Sequence, residues 1–336
     1  MTEILARGLQ NRGHDVVIFG YPGKMLENRM RGIAPFMPIL KGMDFNPAVL
    51  PRVDRELRRY RPDVAMMLMK KDVTMTGVMA SLRKVPIVVR HANQRPLGRG
   101  LYWKQLYGNM PALHVTNAEA TKRTLLESAP WLEDSTIRVI YNGIDPDPYE
   151  TALREDLGLP SGTPVAGFIG SFEARKGVRE LAEAWHRVAA AVSDAHLLLV
   201  GQGSQESEMR RLLGNAPRVH WLGYRPNVAG ILKSLDVVVL PSYVEGAPNI
   251  VLEAMSAGTA VLATAVSGTP ELVRDDVEAR LIEPRSVDAI VAGLTEMLSD
   301  KNKRDRFAAA ARDRVQNQFG LDRMIDEYEE ALRGLI

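Results

Sequence analysis

At 336 residues the chain is too long for one ordinary domain and comfortable for two, and 46% hydrophobic with 25% charged residues is the balance of a soluble globular protein. No apolar run approaches the roughly 18 residues that cross a bilayer, and no signal peptide is legible. The absence of cysteine excludes a disulfide framework and thiolate metal sites and fits a reducing cytoplasm. The net charge of +2 hides an imbalance. Residues 1–150 carry 22 Lys and Arg against 15 Asp and Glu, and the rest carries 21 against 26, so a half at +7 precedes one at −5. A basic half suits an anionic acceptor, a membrane surface or nucleic acid. It is equally ordinary solubility charge, since no polybasic block with interleaved aromatics stands out.

In chain order, the sequence opens in a helix, with Ile4, Leu5 and Leu9 on one face. Arg12-Gly13-His14-Asp15 ends it before a strand at 16–19. A parallel sheet ordinarily begins on a strand, so this opening is unusual. Residues 21–52, rich in Gly, Pro and Met, give no firm element. A basic helix at 53–61, a strand at 64–69, a helix at 73–82 and a strand at 87–90 ending at His91 follow. Next come a basic loop at 92–100 with Arg95 and Arg99, a helix at 101–107, a strand at 113–115, a helix at 118–127 and a strand at 137–140. Asn142-Gly143-Ile144-Asp145-Pro146 is a strong turn signal. It marks a domain boundary, with Pro148 and Pro160 bracketing a linker between a first domain at 1–148 and a second from 149.

The second half repeats the alternation. A strand at 165–169 leads into the loop Gly170-Ser171-Phe172-Glu173-Ala174-Arg175-Lys176-Gly177, then a helix at 178–192, a strand at 196–200, a helix at 205–213 and a strand at 218–222. A short helix at 227–233, the apolar run 235–240, a strand at 260–263, a helix start at Thr269-Pro270-Glu271, a strand at 279–282 and helices from 287 complete it. Two runs of β-α units predict two doubly wound sheets, with ligands at the carboxyl ends of the strands and in the cleft between domains.

The richest stretch, 241–258, reads Pro-Ser-Tyr-Val-Glu-Gly-Ala-Pro-Asn-Ile-Val-Leu-Glu-Ala-Met-Ser-Ala-Gly. Pro248 suits the first position of a helix and Gly258 its stop. A helix start here offers the backbone N–H groups of Asn249 and Ile250, with the helix dipole behind them, to a phosphate or diphosphate. A carboxylate beside that anion would repel it, so Glu245 is expected to face sugar hydroxyls, which donate to both of its oxygens. Arg175-Lys176-Gly177 after a strand reads as the opposite side of a diphosphate clamp, although paired basic residues alone are ordinarily a solvated loop. Gly201-Gln202-Gly203 is a tight turn rather than a dinucleotide fingerprint, because Glu206 occupies the third position and would face the pyrophosphate. His91, at the end of a first-half strand, is a site candidate. His14, His114, His186, His196 and His220 have no evident partner and read as structural.

These residues resemble a known family. Glu245 and Glu253 reproduce the E-x7-E pair of the retaining glycosyltransferases of family GT4, the "glycosyl transferases group 1" class with the GT-B fold. Val200-Gly201-Gln202-Gly203, Leu222-Gly223-Tyr224-Arg225, Tyr141-Asn142-Gly143-Ile144-Asp145 and Arg12-Gly13-His14-Asp15-Val16 match further landmarks, and the end of the chain from Phe319 resembles a terminal helix that crosses back to the first domain, which implies a second domain at 149–318 and a terminal helix at 319–336. The resemblance implies that Glu253 binds the nucleotide ribose and Glu245 the donor sugar. Lys176 then holds the diphosphate; Ser171, part of the implied binding set, stands where many members carry Arg, so one charge there is either missing or supplied by Arg175, and His91 lies near the reaction centre. Gly170, Gly246, Ala247, Asn249 and Ile250 complete the implied binding set. A nucleoside-diphosphate sugar is then the co-substrate, without a bound metal or other cofactor. The implied acceptor is a saccharide or lipid-linked hydroxyl of cell-envelope assembly, handled in the cytoplasm or peripherally on the inner face of the membrane, with no nucleic-acid role. The same resemblance allows a nucleotide-sugar epimerase, or a binding subunit without activity. The family pattern also begins with a strand and a Gly-Gly loop absent from this sequence. Since a missing central strand would expose ladder groups, a start trimmed by roughly 25–30 residues is expected over a natural variant.

Overall fold

The structure is a computed structural model and describes all residues except 43–44, 146–151, 153 and 227. The chain divides into two compact units, Met1–Gly143 with Leu321–Ile336, and Ile144–Gly320. The sequence boundary expected at 148/149, Pro146, Pro148 and the helix start expected at Asn227 lie outside the described residues.

In the first unit β1 (Ile18–Phe19) pairs only with β2 (Phe36–Met37), forming a two-stranded parallel sheet. A four-stranded parallel sheet follows in the order β3 (Ala65–Met67), β4 (Ile87–His91), β5 (Leu113–Thr116), β6 (Ile137–Val139). Both faces are covered, as a parallel sheet requires. Val53 and Leu57 of the helix Leu50–Tyr60 and Leu125 of the helix Glu119–Ser128 pack with Met67, Ile87 and Val89 on one side. On the other, Leu5 and Leu9 of the helix Thr2–Asn11 and Met324, Ile325 and Tyr328 of the helix Leu321–Arg333 pack with Val88, Val115 and Ile140. β2 and the helix Met25–Met30 fall in the segment that had no legible period, because elements of two and six residues are too short to show one.

Polar contacts anchor the terminal helix to this unit. Arg90 donates to Tyr328 Oη at 2.8 Å and to Asn142 Oδ1 at 2.9 Å, all three residues being buried. Glu329 accepts from Arg12 at 3.1 Å, His14 at 3.1 Å and Arg333 at 2.7 Å.

The second unit is a six-stranded parallel sheet in the order β12-β11-β10-β7-β8-β9, where β7 is Val165–Ile169, β8 His196–Val200, β9 Val219–Gly223, β10 Val237–Leu240, β11 Ala260–Thr264 and β12 Arg280–Ile282. Strand order reverses between β7 and β10, the position at the carboxyl edge where open parallel sheets bind their ligands. Trp185 and Leu181 of the helix Val178–Ala191, Leu294 and Met297 of the helix Val287–Ser299, and Phe307 fill one face.

The Gly pair at 201 and 203 is explained by backbone crowding. A Cβ on Gly201 would lie 1.8 Å from Gly170 O, and one on Gly203 2.4 Å from Phe172 O, so the loop after β7 can run against the turn after β8. Gly177 has φ 65° and a Cβ there would lie 1.9 Å from Pro241 O. Only glycine combines that conformation with that approach.

Two outcomes follow from this packing. Gly177→Ala must displace backbone rather than a flexible side chain, and is expected to cost more than about 2 kcal/mol and lower the melting temperature by about 5 °C or more, read by calorimetry. Glu329 is held far below its ordinary value of 4.5, at about 2, by hydrogen bonds from Arg333, Arg12 and His14. A depressed carboxylate stabilises the fold above its unfolded pKa and loses that contribution as pH falls through the folded one. Glu329→Gln is therefore expected to be less stable than the parent at pH 7, with the gap closing between pH about 4.5 and about 2 in urea titrations.

Candidate functional site

The two loops flanking the reversal in the second unit are stitched together. Tyr243 N donates to Arg175 O at 2.8 Å, two positions along each loop from the contact of Gly177 with Pro241 O. This brings Lys176 to Glu245. Lys176 Nζ donates to Glu245 Oε1 at 2.5 Å, and Ser242 Oγ donates to the same oxygen at 2.7 Å. Only 14% of the Lys176 side chain and 7% of that of Glu245 are exposed, so the pair is shielded from water and from salt. Ser242 is itself fixed, its carbonyl accepting from Thr264 Oγ1 at 2.5 Å. The loop after β11 braces the arrangement: Glu245 N donates to Ser267 Oγ at 3.2 Å and Gly268 N to Gly246 O at 3.1 Å.

The helix after this loop runs Asn249–Ala257 and stops at Gly258. Pro248 is the residue before its first turn, with an extended ψ of 113°, rather than its first helical residue. Its carbonyl accepts from Val251 N at 3.1 Å, which a residue outside the first turn can still do. The N-terminal dipole of this helix faces the loop carrying Glu245, with Asn249 exposed and Ile250 half-buried. Glu253 lies one turn along, half-buried, and burial pushes its carboxyl above the ordinary range.

Each sequence-predicted residue can now be placed. Gly170, Ser171, Lys176, Glu245, Gly246, Ala247, Asn249, Ile250 and Glu253 all lie on the loops after β7 and β10 or on the helix that follows. The expectation of a lysine turned to phosphate and a glutamate turned to sugar meets a fact the sequence did not carry: the two are bonded to each other. Arg175 is exposed and its guanidinium pairs with Glu173 at 2.9 Å. His91 ends β4 in the first unit, half-buried, and is bonded to His114 at 3.0 Å.

Several residues of this neighbourhood escaped the sequence reading. Ser242 and Ser267 hold Glu245, and Tyr243 Oη donates to Glu180 at 2.5 Å while Arg285 lies 4.8 Å over its ring. Burial and the Glu180 carboxylate push the Tyr243 hydroxyl up to about 12. The five histidines expected to lack evident partners each have one: His14 pairs with Glu329, His114 with His91, His186 with Leu212 O at 3.0 Å, and His196 with His220 at 2.8 Å. All of these partners stand 23 or more positions away in the chain, beyond the reach of local pattern. Among the described residues no group of three or more His, Asp or Glu side chains is arranged to hold a metal ion. No helix among them is long and apolar enough to cross a membrane.

Residues 150–314 match the family model described as "Glycosyl transferases group 1", and residues 1–148 match "Glycosyltransferase Family 4". N-acetyl-alpha-D-glucosaminyl L-malate synthase of Bacillus anthracis is 29% identical over 57% of this chain and 52% of its own length. Sulfoquinovosyl transferase SQD2 of Arabidopsis thaliana is 25% identical over 92% of this chain and 65% of its own length. The chain thus spans about half to two thirds of these relatives. Among solved structures, a glycosyltransferase of Rickettsia africae superposes at a TM-score of 0.87, with 17% identity over 99% of this chain and 93% of its own. Anabaena HepE, crystallised with UDP and glucose, superposes at 0.85, with 18% identity over 99% and 95%. The fold is GT-B, and with both family models matched along successive halves, the chain belongs to the group 1, family 4 glycosyltransferases.

Proposed function

We propose that this protein transfers a hexose-type sugar from a nucleoside-diphosphate sugar to a hydroxyl acceptor with retention at the anomeric carbon. The observation that carries the reading is the shielded Lys176–Glu245 couple at the strand-order reversal, beside a helix N-terminus and one turn from Glu253. An ammonium has three protons and the Glu245 bond takes one, leaving two for diphosphate oxygens. The helix dipole adds a second positive influence on the departing diphosphate, which is the charge such a reaction must stabilise. Glu245, held by Ser242 and Lys176 through Oε1, keeps Oε2 for sugar hydroxyls. Glu253, a carboxylate on a half-buried helix face, suits the paired hydroxyls of a ribose. In the transfer itself the acceptor oxygen bonds to the anomeric carbon as the bond from that carbon to the phosphate oxygen breaks. The acceptor proton passes to the freed phosphate oxygen, so neither a metal nor a protein base is required.

The acceptor we propose is lipid-linked, which places the first unit against a membrane. Leu101 and Tyr102, 85% and 54% exposed, stand with the exposed cations Arg99 and Lys104 on one basic, apolar segment.

Glu253→Ala is expected to weaken UDP or GDP binding by roughly ten- to a hundredfold in calorimetry, the loss of charge-assisted hydrogen bonds. Glu245→Gln should leave nucleotide affinity within about threefold and lower turnover by on the order of a hundredfold. Equal small effects from both would remove the separate roles. In the same assay EDTA should leave turnover unchanged and NMR should show one retained anomer; free UDP with an epimerised sugar would instead favour the epimerase. Sedimentation with phosphatidylglycerol vesicles at low salt tests the lipid reading: the parent should pellet and Leu101→Asp should not, whereas a parent that stays in the supernatant ends it.

A further inference from the structure

His91 and His114 form a hydrogen-bonded chain whose direction is fixed by its far end. His114 sits at the second position of β5, 1% exposed, and its Nε2 lies 2.8 Å from the carbonyl oxygen of Tyr107 in the helical segment Lys104–Asn109. A carbonyl can only accept, so His114 Nε2 carries a proton and donates it. In a neutral imidazole the other nitrogen is then an acceptor, and His114 Nδ1 lies 3.0 Å from His91 Nε2. His91 must therefore donate through Nε2, and its own Nδ1 is left as a lone pair. The rings stand 5.2 Å apart and 32° from parallel, on β4 and β5, where Val89 pairs with His114 and His91 with Thr116, so both histidines project from one face of the sheet. Burial lowers His91 to about 3, with His114 and Arg90 adding to the effect, and burial lowers His114 to about 4. Both rings are thus neutral at pH 7, the condition the tautomer argument needs.

We propose that His114 is a positioning residue: by donating its Nε2–H to Tyr107 O it sets His91 in the Nε2–H tautomer and presents Nδ1 of His91 as a hydrogen-bond acceptor. What His91 can then bind through that nitrogen is a hydroxyl, such as one on the transferred sugar or on the acceptor. A phosphate oxygen, which offers no proton at neutral pH, is excluded. His91 is in this way a reader of hydroxyl groups rather than a cation for the diphosphate, which Lys176 serves. The functional half of this inference rests on the sugar-transfer reading above. The tautomer half rests on the hydrogen-bond chain alone.

The test is long-range 1H–15N correlation NMR at pH 7 on protein labelled at histidine, with His91→Gln and His114→Asn used to assign the signals. Both residues are expected as neutral Nε2–H tautomers, each with an unprotonated Nδ1. A protonated Nδ1 on His91, or a doubly protonated ring, overturns the proposal, and through-bond backbone-to-ring correlation assigns the signals in the parent protein if the variants do not fold. Kinetics supply the second arm. His114→Asn places an amide oxygen near the position of Nδ1 and should keep turnover within about threefold. His114→Leu cannot accept from His91 and should lose at least about tenfold in kcat with nucleotide affinity unchanged, as when the partner orienting a ligating histidine is removed. Equal kcat in the Asn and Leu variants would overturn the positioning role. Correct tautomers in a protein that transfers sugar from none of the UDP- or GDP-sugars would uphold the tautomer assignment and sink the transferase reading instead.

Discussion

The carbonyl of Pro241 occupies the space that a side chain at residue 177 would need, and the rest of the second unit's chemistry is arranged around that approach. Because two loops from strands on either side of the reversal touch through backbone, the residues next to the contact are delivered to each other without freedom to wander. Lys176 and Glu245 meet at 2.5 Å for that reason, and both are shielded because the backbone around them is closed. A shielded pair of this kind is expensive to break from one side only, since the remaining charge would stay without compensation. The pair is thus held in place, with Ser242 as a second donor to the glutamate.

The first unit solves a different problem. Its cations are largely on the surface, while the residue brought to the end of β4 is a neutral ring whose bonding direction is set by two further residues, His114 and Tyr107. Arg90, immediately before His91, does not contribute its charge to a ligand site either. It is bonded to Tyr328 and Asn142, and through Tyr328 it ties the last helix of the chain to the sheet.

Much of the architecture was legible in the sequence. Strands β7 and β8 were read with the residues they have, because fully buried parallel strands are short apolar runs with sharp ends. Element boundaries such as Pro248, which falls just outside its helix, and the basic helix, which begins at Leu50 rather than 53, shifted by one to three residues, where capping geometry rather than pattern decides. The segment 21–52 was silent since β2, only two residues long, is defined by its pairing with β1.

The sequence by itself determined the kinds of groups available and the order in which they arrive: glutamates eight positions apart across a helix start, a lysine and a glycine after a strand, a histidine at a strand end. Local spacing, turn residues and apolar periodicity are properties of neighbouring positions, so one chain suffices to read them. Tertiary structure alone decided the partners. That Glu245 bonds Lys176, 69 positions earlier, that Ser267 braces the same loop, and that His114 meets His91 are consequences of strand order. Strand order is set by which faces must be buried together, a global condition that no local stretch of residues records.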